Sequence, residues 1–294
     1  MRGLLVVMST ILILGGSGKT GRRIAPLLRE AGATVRTASR NGADVRFDWD
    51  DAATYDAALE GASAVYLVPP ALDLGYVPRA LVFLDRAEAA GVRHVTFLSA
   101  RGVEHAPPEV AHRAVELELG RRTAFTHSIL RPGWFMQDFD EYFFAPAILA
   151  EGAIQMPVGD GREAFIHADD IAEVAAATLL DPDAHAGAEY ELTGPEALTL
   201  AQVAARISAA TGREVRHDDL PRADWIAGLE AGGVPADYAA MLGMLSDALR
   251  ASANAAVTAD VERVTGHAPR SFDDYLADPA VISALTAPSA VNAA

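Results

Sequence analysis

The chain has 294 residues, no cysteine, and 40 acidic against 24 basic side chains, giving a formal charge of −16. Disulfides, cysteine-ligated zinc and thiol nucleophiles are thereby excluded, and the acid excess argues against a nucleic-acid partner, whose binding rests on neutralising phosphates. One base alone is a lysine, Lys19, so any chemistry that needs a lysine has a single place to find it. The first eight residues read as an extension of the chain, with Met8 an alternative start. A signal peptide is not expected, because the apolar run at 10–14 passes straight into a glycine loop without a cleavage pattern.

That run is short, apolar and bounded by glycines, the mark of a buried parallel strand. Residues 20–31 follow with helical spacing: Ile24, Leu27 and Leu28 share one face, and Gly32 is the stop. Pro26 removes one hydrogen bond there unless it lies in the first turn. Strands are then expected at 34–38, 44–47, 64–68, 94–98 and 124–130. Helices are expected at 51–59, 78–90 and 108–119. Strand and helix alternate over short connections, which predicts right-handed crossovers and a Rossmann-type doubly wound parallel sheet of the α/β class. This gives a dinucleotide-binding domain over 9–133.

After Gly133 the alternation loosens. An aromatic stretch over 134–144 precedes a turn at Gly159-Asp160-Gly161. A helix capped by Asp169 or Asp170 is expected to run to Leu180, with a strand at 189–192 and a helix at 200–210. From Pro221 onward the sequence is helical and alanine-rich. Residues 134–286 therefore form a smaller, mostly helical substrate lobe, interleaved with the last sheet elements at about 167–193 and packed on the sheet. Residues 287–294 are expected to be a flexible end. No apolar run reaches the ~20 residues that span a bilayer, so neither a membrane partner nor a site outside the cytoplasm is expected.

The chemistry starts at the glycine loop. Gly15, Gly18 and Gly21 form G-x-x-G-x-x-G between a strand and a helix. A tight turn needs the first glycine, close backbone approach to a pyrophosphate the second, and helix-on-strand packing the third. Ser17, Lys19 and Thr20 lie in the same loop, beside amide groups that suit phosphate. An ATP phosphate loop would need glycine where Ile13 stands. The second strand ends in Ser39-Arg40 rather than the acid that grips a ribose 2′-hydroxyl. A hydroxyl and a guanidinium suit a 2′-phosphate, so the cofactor is expected to be NADP(H). Asp48 is placed to take the adenine amino group.

A Tyr-x-x-x-Lys proton relay cannot be present with Lys19 the sole lysine. The remaining catalytic candidates are Ser99, at a strand end, and His112, with Glu116 one helical turn away to orient it. A solvated helix face is the plainer reading of the His112–Glu116 pair. The histidines show no metal-ligand spacing, so no metal is expected. Trp134, Phe135, Phe139 and Phe143 follow a strand's carboxyl end, where doubly wound sheets bind ligands. They read as a wall of a substrate pocket, with Trp225, Met241 and Met244 closing it, or else as core.

Gly-Gly-Ser-Gly-Lys-Thr (15–20), Ala-Ser-Arg (38–40), Phe-Asp-Trp (47–49), Tyr-Leu-Val-Pro-Pro (66–70), Phe-Leu-Ser-Ala (97–100), Leu-Arg-Pro-Gly-Trp-Phe-Met (130–136), Asp-Asp-Ile-Ala (169–172) and Leu-Thr-Gly-Pro-Glu (192–196) occur in that order. In this the chain resembles the NmrA-like atypical short-chain dehydrogenases, and among them the ergot-alkaloid reductases of the festuclavine and agroclavine dehydrogenase type. The resemblance implies a Rossmann domain with a small C-terminal lobe and NADPH-dependent reduction. It implies that Trp49, Val68 and Pro69 border the cofactor, and that Pro132, Gly133, Trp134 and Phe135 border its nicotinamide. The expected activity is hydride transfer to a small hydrophobic acceptor of imine, iminium, quinone or enone type. The alternative is a non-catalytic NADP(H)-sensing regulator. A nucleotide-sugar epimerase is opposed by Arg40 and by the lysine count. Either a monomer or a homodimer fits.

Overall fold

The computed structural model describes residues 10–287; the proposed flexible ends lie largely outside them. In chain order the elements are β1 (Thr10–Leu14), α1 (Gly21–Glu30), β2 (Thr34–Ser39), β3 (Val45–Arg46), α2 (Tyr55–Leu59), β4 (Ala62–Leu67), α3 (Val77–Ala89), β5 (His94–Leu98), α4 (Ala111–Arg121) and β6 (Thr126–Pro132). There follow α5 (Ala145–Glu151), β7 (Ala153–Gln155), β8 (Arg162–Glu163), α6 (Ala168–Leu180), β9 (Ala188–Leu192), β10 (Leu198–Thr199), α7 (Leu200–Thr211) and β11 (Arg216–Asp218). The chain closes with α8 (Arg222–Ala231), α9 (Ala236–Arg250), α10 (Asp260–Thr265), α11 (Phe272–Leu276) and α12 (Pro279–Thr286).

Seven strands form one sheet in the order β3-β2-β1-β4-β5-β6-β9. The β1–β2, β1–β4, β2–β3, β4–β5 and β5–β6 pairs are all parallel. Strand order reverses beside β1, the switch point at which this topology binds ligands. The expected α/β Rossmann-type sheet is therefore the fold. Every residue of β1 is buried, as a central strand covered on both faces requires.

Two compact units divide the chain. One comprises 10–71, 75–131 and 171–190, and the other 72–74, 132–170 and 191–287 among the described residues. The first has its own core, built from Leu12, Leu14, Val65, Leu67, Phe83, Leu84, Val95 and Phe97 with their neighbours. The second is organised around Phe139, Ile154, Phe165, Val203, Ile207, Phe272 and Tyr275. No helix among the described residues is long and apolar enough to cross a membrane.

Three local departures have physical causes. Helix α1 runs through Pro26, five residues past its start, forgoing one backbone bond while Ile24, Ala25 and Leu28 stay buried. The 51–59 segment opens as a 3-10 turn at Ala52–Thr54 before α2, with Asp51 accepting a bond from the Ala53 amide. Helix α6 starts at Ala168, so Asp169 and Asp170 sit inside its first turn rather than capping it. Asp170 is buried and bound by the Arg270 backbone amide and guanidinium.

In β5, His94 is fully buried; its Nδ1 meets Thr126 at 2.8 Å and its Nε2 meets Thr96 and Ser128, both at 3.3 Å. Burial, with His127 and His185 nearby, pushes its pKa down to about 4. The unfolded chain then takes up a proton near pH 6.5 that the folded chain refuses until about pH 4. The His94 contribution to stability is thus expected to fall by about 3 kcal/mol as pH drops through that window. Urea titrations at pH 7 and 4.5 check this, and His94→Gln should shrink the difference. An unchanged difference would assign the loss to other groups.

Candidate functional site

The glycine loop is a cradle made of backbone. Gly15 has φ +64°, and a Cβ there would lie 2.8 Å from the Val68 side chain. At Gly21 an added Cβ would sit 2.3 Å from the Gly15 carbonyl oxygen, and at Gly18 3.1 Å from the same atom. The Gly18 amide donates to the Gly15 carbonyl at 2.8 Å and closes the turn. Gly16, which lies outside the G-x-x-G-x-x-G pattern, is as constrained: its Cβ would be 2.6 Å from that of Thr37. Its amide donates to Ala38 at 3.1 Å, lashing the loop to β2.

From the end of β2, Ser39 holds the loop directly. Its Oγ accepts from the Ser17 amide at 3.2 Å and from the Ser17 hydroxyl at 3.1 Å. Both bonds use its lone pairs, which leaves its own proton to be donated. Arg40 beside it is exposed, and among the described residues no carboxylate pairs with it. Asp44 fixes the far side of β2: it accepts from the Thr37 amide and hydroxyl, both at 2.8 Å, and from Arg29 at 3.1 Å. The Thr37 bonds, followed by Arg29, hold its carboxyl below the usual range.

Helix α1 opens with no side-chain cap and no acid in its first turn. Its positive end is therefore uncompensated by the protein and suited to an anion. Lys19 is half-buried, and its carbonyl accepts from Arg23 at 2.8 Å. Thr20 is buried, with its hydroxyl turned inward to Tyr66. A phosphate is thus offered the backbone amides of the loop. These features fit a dinucleotide pyrophosphate with a 2′-phosphate near Arg40.

Of the other expected contacts in this unit, Val68 is the side chain that meets Gly15, and Pro69 is half-buried next to it. Trp49 is packed into an aromatic group with Phe47, Tyr55 and Phe83, at ring separations of 5.1 to 6.1 Å. Asp48 accepts from the Asp50 amide at 3.2 Å and lies 3.5 Å from Arg46. Its carboxylate therefore shapes the turn after β3.

Of the two catalytic candidates, Ser99 follows the end of β5 as expected, whereas His112 is not oriented by Glu116. Glu116 does not hydrogen-bond His112. It is buried and accepts from Ser99 at 2.6 Å, from Arg113 at 2.9 Å and from both ends of the Arg131 fork at 2.8 and 2.9 Å. Burial alone would raise its pKa, but the Arg131 and Ser99 bonds outweigh this and hold it below the usual range. The single proton of Ser99 is thereby committed to a carboxylate. His112 is half-buried, with its ring 5.7 Å from Tyr76 and 6.1 Å from Phe97. Burial pushes its pKa down to about 4, so at pH 7 it is neutral and a weak acid.

In the second unit, Phe139 is fully buried, stacked on Phe144 at 4.9 Å and set against Phe165 and Phe272. It is core rather than pocket wall. Trp134 and Phe143 are half-buried, 5.8 Å apart, and Phe143 reaches Trp225 at 6.3 Å. Trp225 is buried and donates its indole N–H to the Gln155 carbonyl at 3.0 Å. Pro132 ends β6, and the Gly133 amide donates to Leu192 at 3.0 Å. The backbone of 134–136 clasps Ile166 through two bonds of 2.9 Å, which places Phe135 in a parallel bridge with Ile166.

Sequence reasoning missed the Ser17–Ser39 clasp, the Tyr66–Thr20 bond and the Arg131–Glu116 pair. The first had a signal, since both serines stood within the selected motifs. The others join residues 46 and 15 positions apart through side chains buried in otherwise ordinary elements.

Known proteins resemble this chain along almost its whole length. The uncharacterized oxidoreductase YesF of Bacillus subtilis is 40% identical over 275 residues, covering 91% of this chain and 94% of the relative. The agroclavine dehydrogenase of Claviceps fusiformis is 36% identical over 284 residues, covering 92% and 96%. The NADPH complex of the Escherichia coli NADPH-dependent quinone oxidoreductase QOR2 superposes with a TM-score of 0.75 over 90% of this chain and 98% of that one. Its 24% identity makes it a likeness of fold alone. The NmrA-like family profile matches residues 8–276, so the protein belongs to the NmrA-like family.

Proposed function

We propose that this protein is an NADPH-dependent oxidoreductase that reduces a small, apolar imine, iminium, quinone or enone. The cofactor assignment rests on the loop: backbone crowding that only glycine satisfies, an uncapped α1, and an exposed Arg40 without a carboxylate partner beside Ser39. The relatives named as an oxidoreductase and a dehydrogenase support an enzyme over a sensor. NADPH, when bound, supplies the hydride. The protein holds the cofactor through the loop amides, Ser39 and Arg40.

The acceptor class follows from proton chemistry. There is no lysine outside the loop, Ser99 gives its proton to Glu116, and His112 is neutral at pH 7. With none of these three groups serving as a strong acid, the reading favours an acceptor that already carries its charge, such as an iminium. Alignment of the reactants then supplies the acceleration, about 7–11 kcal/mol at best.

Arg40→Asp tests the cofactor half. It removes the guanidinium and places a carboxylate where the 2′-phosphate is expected. The NADPH-to-NADH preference should fall at least about tenfold, since a charged hydrogen bond is worth about 1.5–3 kcal/mol. An unchanged preference would remove Arg40 from the 2′-phosphate site. Steady-state oxidation of NADPH with a panel of cyclic imines and quinones tests the enzyme half. Tight NADPH binding with turnover of none of them would favour the sensor.

A further inference from the structure

The Tyr-Leu-Val-Pro-Pro run (66–70) at the end of β4 does more than fill the core. Tyr66, in β4, and Val68, just past its end, both reach the glycine loop. Val68 meets Gly15. Tyr66 is 0% exposed and donates its phenol O–H to the Thr20 Oγ1 at 2.9 Å. Strand β4 pairs with β1 in the register Ile13↔Tyr66, so this bond ties the strand that enters the loop to the residue that leaves it.

The bond also fixes what Thr20 does. A threonine preceding a helix ordinarily turns its oxygen onto the first-turn amides. Thr20 instead has helical angles, φ −86° and ψ −45°, and caps nothing. The Arg22 amide goes to Gly18, at 3.1 Å, and those of Arg23 and Ile24 go to the Thr20 carbonyl, at 3.0 and 2.9 Å. Thr20 is thus a helical residue pinned from below, and the amides of Thr20 and Gly21 have no acceptor among the described residues. Burial pushes the Tyr66 phenol up, so it keeps its proton at any working pH.

We propose that Tyr66 is a positioning residue for the cofactor: its buried bond to Thr20 sets the height and tilt of the loop amides that receive the pyrophosphate. This rests on the NADPH reading above and extends it to a residue that does not touch the cofactor. Because the pyrophosphate is common to NADPH and NADH, the effect falls equally on both, unlike that of Arg40.

The test is a double-mutant cycle in Tyr66→Phe and Thr20→Val, read as dissociation constants for NADPH and NADH by cofactor fluorescence, with thermal midpoints measured in parallel. Each single change should weaken both cofactors by about five- to tenfold, the scale of one lost buried hydrogen bond. The double variant should be no weaker than either single, and Thr20→Ser should stay within about twofold of the wild type. Four results would overturn the proposal. They are wild-type affinity in Tyr66→Phe with only the midpoint lowered, losses that multiply in the double variant, a loss confined to NADPH, or no rescue by serine. Failure of the wild-type protein to bind either nucleotide would instead remove the cofactor reading, and this inference with it.

Discussion

Glu116→Gln is expected to lower the unfolding free energy by roughly 3–5 kcal/mol, the cost of breaking one partner out of a buried ion pair. The change keeps the shape of the side chain and removes its charge. Arg131, itself buried, then retains only Glu189 at 2.7 Å, which is half exposed, and Glu104 at 3.6 Å. The desolvated guanidinium is left under-compensated, and Ser99 and Arg113 lose a charged acceptor. Urea unfolding at pH 7 measures the effect. The paired change Glu116→Leu with Arg131→Met should cost much less than the two single changes summed, because it removes both charges together. A Glu116→Gln variant within about 1 kcal/mol of the wild type would mean that the network is solvated and contributes little.

The second large effect is at the loop. Gly21→Ala puts a methyl 2.3 Å from the Gly15 carbonyl oxygen. That oxygen belongs to the backbone, so no rotamer change relieves the clash and the loop must move. A displacement of order 1 Å costs about a hundredfold where alignment matters, and a loss of that size is expected in kcat/KM for NADPH. Gly18→Ala, with its 3.1 Å approach, should lose less. Gly32→Ala is the control: φ is +84° there but nothing lies within 4 Å, so stability should fall modestly while cofactor affinity stays the same. Equal losses at Gly32 and Gly21 would show that backbone strain, not crowding at the loop, governs the result.

How much of this was legible in the sequence depends on how local each cause is. The β1–loop–α1 unit was readable because an apolar pentapeptide, three spaced glycines and a 3.6-residue apolar period each act within a few residues. Strand β5 was readable to its ends for the same reason. Pro26 misled only mildly, since burial of Ile24 and Leu28 outweighs one missing backbone bond. Phe139 looked like a pocket residue because a run of aromatics carries no information on which ring faces Phe165 and Phe272. The pairing of His112 with Glu116 followed helical spacing correctly, yet spacing cannot reveal that Arg131, on a strand, would claim the carboxylate first. Tyr66 was hidden in a different way: within an apolar strand its ring is ordinary, and only the tertiary structure shows where the hydroxyl goes.

The glycine loop, the uncapped helix and the exposed Arg40 carry the central proposal, hydride delivery from NADPH to a small acceptor. The most direct measurement is label transfer from NADPH deuterated at nicotinamide C4. Each diastereomer is incubated with a cyclic iminium and the product is analysed by mass spectrometry. One diastereomer should place a single deuterium on the former C=N carbon. Product formed without deuterium from either diastereomer, or no reduction of any acceptor by protein saturated with NADPH, would contradict it.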